Sequence, residues 1–260
     1  MKAYEKLQTA RSQNRPTSRS YIEKIFTDCT ELHGDRKYAD DAAVIGGIGM
    51  LDDIPVTFIG IERGRNLQER IRCNFGCPMP EGYRKALRLM KQAEKFRRPI
   101  ICFVDTSGAF CGEEAEERGQ GQAIADNLMQ MMALQVPVIT ILIGEGGSGG
   151  ALGLSVANKL YMLENAVFSV ISPEGCASIL WENAKMAPDA AEALRITAKD
   201  MVTFGVAEEI IKEEFRHFSR MCEGMKEKIR SDLKAWSEKT GKELSEERYQ
   251  RFRKLGRWIE

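Results

Sequence analysis

The stretch "GEGGSGGALGL" (residues 144–154) directly follows "VPVITILI", an apolar run with the length and composition of a buried strand. A glycine turn between a strand and a helix favours anion binding, because the first amides of the helix have no partners inside it. Two kinds of negative charge fit: a nucleotide phosphate, or a charge that exists only during a reaction. A third interpretation is that the glycines only permit tight turns and close packing.

The glycine spacing fits a dinucleotide-binding fingerprint. Gly144, Gly146 and Gly149 satisfy G-x-G-x-x-G, and Glu164 lies about twenty residues from the first of them, where a Rossmann fold places its ribose-binding acid. That fingerprint usually opens the first strand–helix–strand unit of a domain, whereas here it lies past the middle of the chain. An NAD(P)-dependent oxidoreductase is one alternative that the spacing leaves open.

A second turn of the same kind occurs earlier in the chain. The apolar segment "IICFVD" (residues 100–105) predicts a buried strand, and Ser107, Gly108 and Ala109 follow it. Two such turns on neighbouring strands would direct N–H groups into one crevice from two sides.

Side chains suited to acid–base or nucleophilic catalysis are scarce near these turns. The two histidines, His33 and His217, lie far from both turns in sequence. Ser148 lies in G-G-S-G-G rather than in the G-x-S-x-G elbow of a serine hydrolase, and Cys111 has no identifiable base. We therefore expect any catalysis to depend on backbone donors.

Composition excludes several classes of protein. Lys plus Arg (38) equals Asp plus Glu (38), which argues against a general nucleic-acid binder. Seven single cysteines without a C-x-x-C pair indicate a reducing compartment, and Cys73 and Cys77 lack the further ligands of a zinc site. No apolar run approaches the roughly 20 residues of a membrane span, and the first residues lack the apolar core of a signal peptide. A cytoplasmic location is the expectation.

The pattern of apolar residues predicts an α/β protein. A charged, helical segment is expected from Glu213 to the end. The other predicted elements are a helix at residues 20–35, a hairpin at 42–62, helices at 80–96 and 114–134, a strand before the glycine turn and two short strands at 159–172.

Long motifs, in a fixed order over about residues 14–206, closely resemble the α-subunit family of bacterial acetyl-CoA carboxylase carboxyltransferases, and "RYQRFRKLG" resembles that family's tail. The motifs are "GDRKYADD", "RCNFGCPMPEGYRKALRLM", "DTSGAFCG", "AEERGQGQAIA", "IGEGGSGGAL" and "SVISPEGCASILW".

The resemblance implies a crotonase (ClpP/crotonase-like) fold built from ββα spiral units. It divides the chain into an N-terminal helical arm (1–19), a carboxyltransferase domain (20–212) and a C-terminal helical extension (213–260). It also implies an α2β2 assembly in which a β subunit carries a zinc ribbon and most of the acetyl-CoA site, with no metal on this chain.

The reaction implied by the resemblance moves a carboxyl group from carboxybiotin to acetyl-CoA, giving malonyl-CoA for fatty-acid synthesis. Carboxybiotin arrives on a separate biotin carboxyl carrier protein, and ATP is used only by a separate biotin carboxylase. The family's paired glycine amides correspond to Gly149 and Gly150, and fold analogy adds Gly108 and Ala109. These donors would stabilise charge on the biotin ureido oxygen as CO2 departs, and the biotin anion would then take the proton of acetyl-CoA. A non-catalytic scaffold of the same fold is the remaining alternative.

A basic segment, "ERGRNLQERIRCNFG" (residues 62–76), also falls on a family motif. Its arginines, Arg63, Arg65, Arg70 and Arg72, are candidates for contact with CoA phosphates or with the biotin carrier, because guanidinium groups suit phosphate. A solvated loop or a subunit interface is the competing interpretation. For "SPEGCASILW" we expect a buried structural turn and helix rather than a catalytic site.

Overall fold

A computed structural model of the chain describes residues 1–256, and within them eight strands form one mixed sheet. The strands are β1 (Thr27–Glu31), β2 (Val44–Leu51), β3 (Ile54–Ile61), β4 (Ile100–Thr106), β5 (Val138–Gly147), β6 (Lys159–Leu163), β7 (Val167–Ser169) and β8 (Glu209–Ile211). Their order across the sheet is β1-β2-β3-β4-β5-β6-β8, and β7 pairs with the end of β5. The first three strands are antiparallel, and the pairings from β3 onward are parallel.

The helices of the described residues fill the connections between these strands. They are α1 (Ala3–Ala10), α2 (Ser18–Ile25), α3 (Leu67–Arg72), α4 (Pro80–Lys95), α5 (Glu113–Glu117), α6 (Gln120–Ala133), α7 (Ser148–Leu152), α8 (Pro173–Trp181), α9 (Ala187–Leu194), α10 (Ala198–Thr203), α11 (Phe218–Ala235) and α12 (Gly241–Arg253). In this part of the chain, no helix combines the length and the hydropathy that crossing a membrane requires.

The central strands carry the strongest sequence signal, and the structure confirms them. Every residue of β4 is buried, and so is almost all of β5, as expected for parallel strands covered on both faces. The hairpin predicted at residues 42–62 is β2–β3, with Asp52 in the left-handed region at its turn. The helix predicted at residues 80–96 is α4, which has Pro80 in its first turn.

Two predicted helices are wrong in extent. The helix expected at residues 20–35 ends at Ile25, and the chain continues as β1, where β-branched Thr27 and Thr30 pair with β2. The helix expected at residues 114–134 is two helices, α5 and α6, because Gly119 adopts a φ of 80° between them. In both places a long-range pairing or a glycine overrides an apparently continuous helical pattern.

The motif "GDRKYADD" forms a loop that is fastened to α4. Arg84 Nε donates to Asp35 Oδ2 at 2.7 Å, and Lys85 Nζ donates to Asp40 Oδ1 at 2.5 Å. The carboxylate of the buried Asp41 accepts two backbone N–H groups, and burial raises the pKa of that carboxyl to about 6. The motif therefore serves the fold by holding the start of β2 against α4.

The C-terminal helices share the main hydrophobic core rather than packing only on each other. Buried side chains of α11, such as Ile229 and Leu233, and Leu244 of α12 belong to the same cluster as the central strands. The predicted domain boundaries at residues 19 and 212 stay predictions.

Arg248 fastens α12 to this core. It is fully buried, and its terminal nitrogens donate to four carbonyl oxygens within residues 131–136 at 2.7–3.3 Å. It also donates to Asn158 Oδ1 at 2.6 Å. Burial lowers the pKa of its guanidinium to about 10, and none of these acceptors is a carboxylate. Arg248 therefore supplies donors to carbonyl groups in the last turn of α6 and in the segment that follows it.

Replacing Arg248 with Met should lower the free energy of unfolding by about 3 kcal/mol or more, because each buried acceptor left without a donor costs about 1–3 kcal/mol. Urea unfolding monitored by circular dichroism measures this. The matched control is Lys242→Met, an exposed position in the first turn of α12, which should change stability by about 0.5 kcal/mol at most. Equal stabilities for the two variants would show that Arg248 does not anchor the helix.

Candidate functional site

The two glycine turns meet at the carboxyl ends of β4 and β5. These strands are parallel, and Thr106 is in register with Gly146, so the chain leaves both strands at the same edge of the sheet. A Cβ atom placed on Gly150 would lie 2.4 Å from the backbone nitrogen of Ala109 and 2.6 Å from the carbonyl carbon of Gly108. The backbones of the two turns are therefore in direct contact, and residue 150 has no room for a side chain.

The carboxylate of Asp105 holds the ends of the two strands together. Its Oδ1 accepts the backbone N–H of Glu145 at 2.8 Å and the Nη1 donor of Arg63 at 3.0 Å. A Cβ atom on Gly144 would lie 2.3 Å from that same oxygen, so this glycine makes room for the carboxylate. The charge of Asp105 also raises the pKa of the Arg63 guanidinium.

A second ion pair continues this network toward α1 and α8. The half-exposed Arg11 donates from Nε and Nη2 to both carboxylate oxygens of the buried Glu145, at 3.0 and 2.7 Å. Its Nη1 donates to Glu174 in the first turn of α8 at 2.7 Å. This bidentate geometry is the strong form of a guanidinium–carboxylate contact. The network thus fixes the start of α8 relative to the end of β5.

Hydrogen bonds to neighbouring segments fix both turns. Thr106 Oγ1 accepts from the Gly108 amide at 3.0 Å and donates to the Gly108 carbonyl at 2.8 Å. The Phe110 amide donates to the Pro78 carbonyl, which places the first turn beside the "NFGCP" motif. On the other turn, the buried hydroxyl of Tyr83 donates to the Gly150 carbonyl at 3.0 Å. The backbone of the site is therefore rigidly positioned before any substrate arrives.

A cavity of about 240 Å³ opens where the turns meet. Ser107, Gly147 and Ser148 line one side of it, and Ile171 and Pro173, at the start of α8, line the other. Within the described residues no acceptor is assigned to the Ala109 amide, and the first amides of α7 lack partners inside their helix. We call this cavity the crevice. Its walls are mostly small or apolar and include Ser107 and Ser148, whereas Gly108, Ala109, Gly149 and Gly150 are not among its lining residues.

A second cavity, of about 300 Å³, lies on the other side of Ser148. Leu152, Phe168 and Phe252 contribute to a lining that is almost entirely apolar. Val170 lines this cavity and the crevice, so the two are neighbours across the β7–α8 connection.

The four arginines of residues 62–76 do not share one environment. Arg63 turns inward to Asp105. Arg65 is exposed and contacts Glu69 at 3.4 Å, whereas Arg70 and Arg72 lie in α3 with no carboxylate partner assigned within residues 1–256. The structure thus separates one inward arginine from three on the surface.

Apart from the ion-paired Glu145, which lines the crevice, the candidate acid–base and thiol side chains lie outside its lining. His33 is exposed and contacts Asp40 at 3.0 Å, and His217 is exposed in the turn before α11. Cys111 is exposed in the chain that leaves the first turn. In the described part of the chain, no group of three or more His, Cys, Asp or Glu side chains has the arrangement of a metal site.

The sequence reasoning missed Asp105, Glu145 and Arg11. An acidic residue at the end of an otherwise apolar buried strand, as Asp105 is, is the one signal that could have indicated a buried partner. Nothing local identifies Arg11 as the partner of Glu145, because the two are 134 residues apart.

The dinucleotide interpretation is not supported by this geometry. Gly144 and Gly146 lie inside β5 rather than in the turn. The missing side chain of Gly144 leaves space for the Asp105 carboxylate. The Glu164 amide donates to the Ile211 carbonyl, and the Glu164 carbonyl accepts from Lys6, so its backbone is tied into the fold.

Comparisons with known proteins agree on one family. A family profile described as "acetyl co-enzyme A carboxylase carboxyltransferase-like" matches residues 1–256. The acetyl-coenzyme A carboxylase carboxyl transferase subunit alpha of Ruminiclostridium cellulolyticum is 54% identical over 256 residues, covering 98% of each chain. In Natranaerobius thermophilus, a chain named for subunits beta/alpha is 52% identical over 261 residues, which are 99% of this chain and 43% of that one.

Among solved structures, transcarboxylase 12S superposes with a TM-score of 0.72 at 18% identity, covering 88% of this chain and 42% of that one. At this identity the likeness concerns the fold, and it confirms the predicted crotonase-type architecture. The family match, the relatives and the fold together show that the chain belongs to the acetyl-CoA carboxylase carboxyltransferase family of biotin-dependent transferases.

Proposed function

We propose that the chain forms one half of a two-subunit carboxyltransferase site, in which the carboxyl group of carboxybiotin passes to acetyl-CoA and gives malonyl-CoA. The observation that carries the proposal is the backbone contact between Gly150 and the Gly108–Ala109 turn. Further support is that Ser107 and Ser148, next to the proposed donors in the two turns, line one crevice, which has no side-chain base in its described lining other than the ion-paired Glu145. Such a site suits a reaction whose main need is stabilisation of a developing negative charge.

The backbone amides of Gly149, Gly150, Gly108 and Ala109 are the proposed donors. Biotin supplies a ureido oxygen, which is an acceptor only and gains negative charge as the carboxyl group leaves. Preorganised N–H groups stabilise such a charge without reorganisation at the moment of reaction, and losing one donor typically costs 10²–10³ in rate, about 3–4 kcal/mol. A crevice of about 240 Å³ lined by glycine, serine and apolar side chains is compatible with a compact, largely apolar ring system.

The charged side chains nearest the crevice act in this proposal through the backbone. Asp105 and Arg63 neutralise each other and hold the ends of β4 and β5, so the donors keep their positions. Glu145 is bound at both oxygens by Arg11, which leaves it poorly placed to act as a base. We therefore assign these groups to positioning the turns rather than to proton transfer.

Arg65, Arg70 and Arg72 are the proposed contacts for phosphate groups of CoA or for the acidic surface of a biotin carrier. Their support is that they lie at the surface near the same loop that Arg63 anchors, without the buried partner that Arg63 has. Arg63 itself we assign to holding the loop, because its guanidinium is committed to Asp105.

A β-type subunit is the proposed partner, in an α2β2 assembly in which the β chain carries the zinc ribbon and most of the acetyl-CoA site. Relatives in which beta and alpha subunits form one chain, in Natranaerobius thermophilus and Clostridium tetani, support this partnership. The carboxylated biotin would arrive on a separate carrier protein, charged by a separate ATP-dependent carboxylase. The close contact between the Gly150 and Gly108–Ala109 backbones supports a catalytic chain over a purely structural scaffold.

The purified chain alone should show no carboxyl transfer, and mixing it with its β-type partner should restore it, because each chain supplies half of the site. The measurement is the reverse reaction, in which malonyl-CoA and free biotin give acetyl-CoA and carboxybiotin. Robust turnover by the single chain would contradict the split site, and an inactive reconstituted pair would contradict the proposed function.

Replacing Cys111 with Ser should leave turnover of the assembled pair within about twofold, because the thiol has no activating base and the proposed reaction forms no thioester with the enzyme. Steady-state kinetics with a thermal melt test this. A folded, assembled C111S enzyme without detectable turnover would mean that the mechanism uses the thiol.

A further inference from the structure

The end of α8, part of a segment that the sequence predicts to be buried, is exposed instead and carries an unusual set of side chains. All eight residues 178–185 are exposed, and they include the consecutive apolar side chains Ile179, Leu180 and Trp181, which are 71%, 64% and 39% exposed. Three consecutive helical positions cover about 200° of the helix surface, so this end is uncovered on most sides. We call residues 178–185 the α8 tip.

The first turns of α8 are held by packing, an N-cap hydrogen bond and an ion pair, whereas the α8 tip is exposed. Cys176 and Ala177 pack against Ala190 of α9 in a small buried cluster. Ser172 accepts the Gly175 amide as an N-cap, and Arg11 binds Glu174 in the first turn. The exposed apolar side chains therefore project from a fixed helix, so little conformational entropy would be lost when a partner covers them.

The α8 tip belongs to the same surface as the crevice. The start of α8 forms one wall of the crevice through Ile171 and Pro173. Val170, just before the helix, is 77% exposed and lines both the crevice and the neighbouring apolar cavity. A chain that covered Val170 and the α8 tip would thus also border the opening of the crevice.

We propose that the α8 tip, with Val170, is the docking surface for the β-type subunit. This inference rests on the proposed function, which requires the second half of the site to face the crevice. The fused relatives support this occupant, because they keep a beta and an alpha region together in one molecule. A fixed tryptophan with flanking aliphatic side chains also has the composition of an interface hot spot.

Substitutions that keep the helix but remove the apolar side chains test the proposal. The variants are Ile179→Gln and Leu180→Gln, singly and together, because glutamine is a good helix former and both positions are exposed. The matched control is Met129→Gln, at a 64% exposed apolar position on α6. The dissociation constant for the separately purified β-type subunit is measured by titration calorimetry, and the carboxyl-transfer rate is measured across β concentrations.

The double variant should bind the β-type subunit about thirtyfold more weakly or worse, because it removes the two most exposed apolar side chains of the α8 tip, while the control binds like the wild type. At saturating β subunit its maximal rate should return to the wild-type value, because the donors of the crevice are untouched. Wild-type affinity in a folded double variant would overturn the docking assignment.

Two further outcomes separate this inference from the proposed function. If the double variant binds the β-type subunit normally but loses self-association in sedimentation, the α8 tip joins two copies of this chain, and the assignment is wrong. If the wild-type pair binds tightly through the tip yet catalyses no carboxyl transfer, the proposed function fails while the docking surface stands.

Discussion

The buried carboxylate of Asp105 is the constraint on which the candidate site depends. It lies at the end of β4, where it accepts the Glu145 amide from β5 and the guanidinium of Arg63 from the loop after β3. A buried carboxylate must be paired and hydrogen-bonded, since an isolated one is far too costly to remove from water. The Glu145 amide meets this carboxylate in the observed register of β4 and β5, and that register determines where the two glycine turns leave the sheet.

The proposed site consists of backbone amides, whose positions are set by this strand register. Side-chain catalysts can change rotamer, but the amides at residues 108–109 and 149–150 move only if the strands or α7 move. The contact at Gly150, the Tyr83 hydrogen bond and the bidentate Arg11–Glu145 pair all restrain that movement. More distant elements serve the same end, because α12 is fastened to the end of α6 by Arg248, and α6 packs against α7. Preorganisation of this kind is what transition-state charge stabilisation requires.

Local sequence signals predicted the parts of the fold that depend on local physics. Three features each indicate a structure that depends only on residues nearby in sequence: the apolar runs of β4 and β5, the turn glycines, and Pro80 at the start of α4. The helix predicted at residues 20–35 is wrong for residues 27–31, because these residues form a strand by pairing with β2, which lies further along the chain. The contact of Gly150 with Ala109 and the inward turn of Arg63 depend likewise on strand pairing, which no local pattern encodes. The motif order indicated the family, but only the structure distinguishes the inward arginine from those at the surface.

The most direct test of the account is the turnover of a Gly150→Ala enzyme assembled with its β-type subunit, compared with Gly224→Ala in α11, where a Cβ atom meets nothing within 4 Å. If the amides of the two turns stabilise the developing charge, kcat should fall about a hundredfold or more, because the new methyl group would force the turns apart. The KM for acetyl-CoA should change little, and the control should match the wild type. A Gly150→Ala enzyme that melts, assembles and turns over like the wild type would show that these glycines serve packing alone, and would contradict the account.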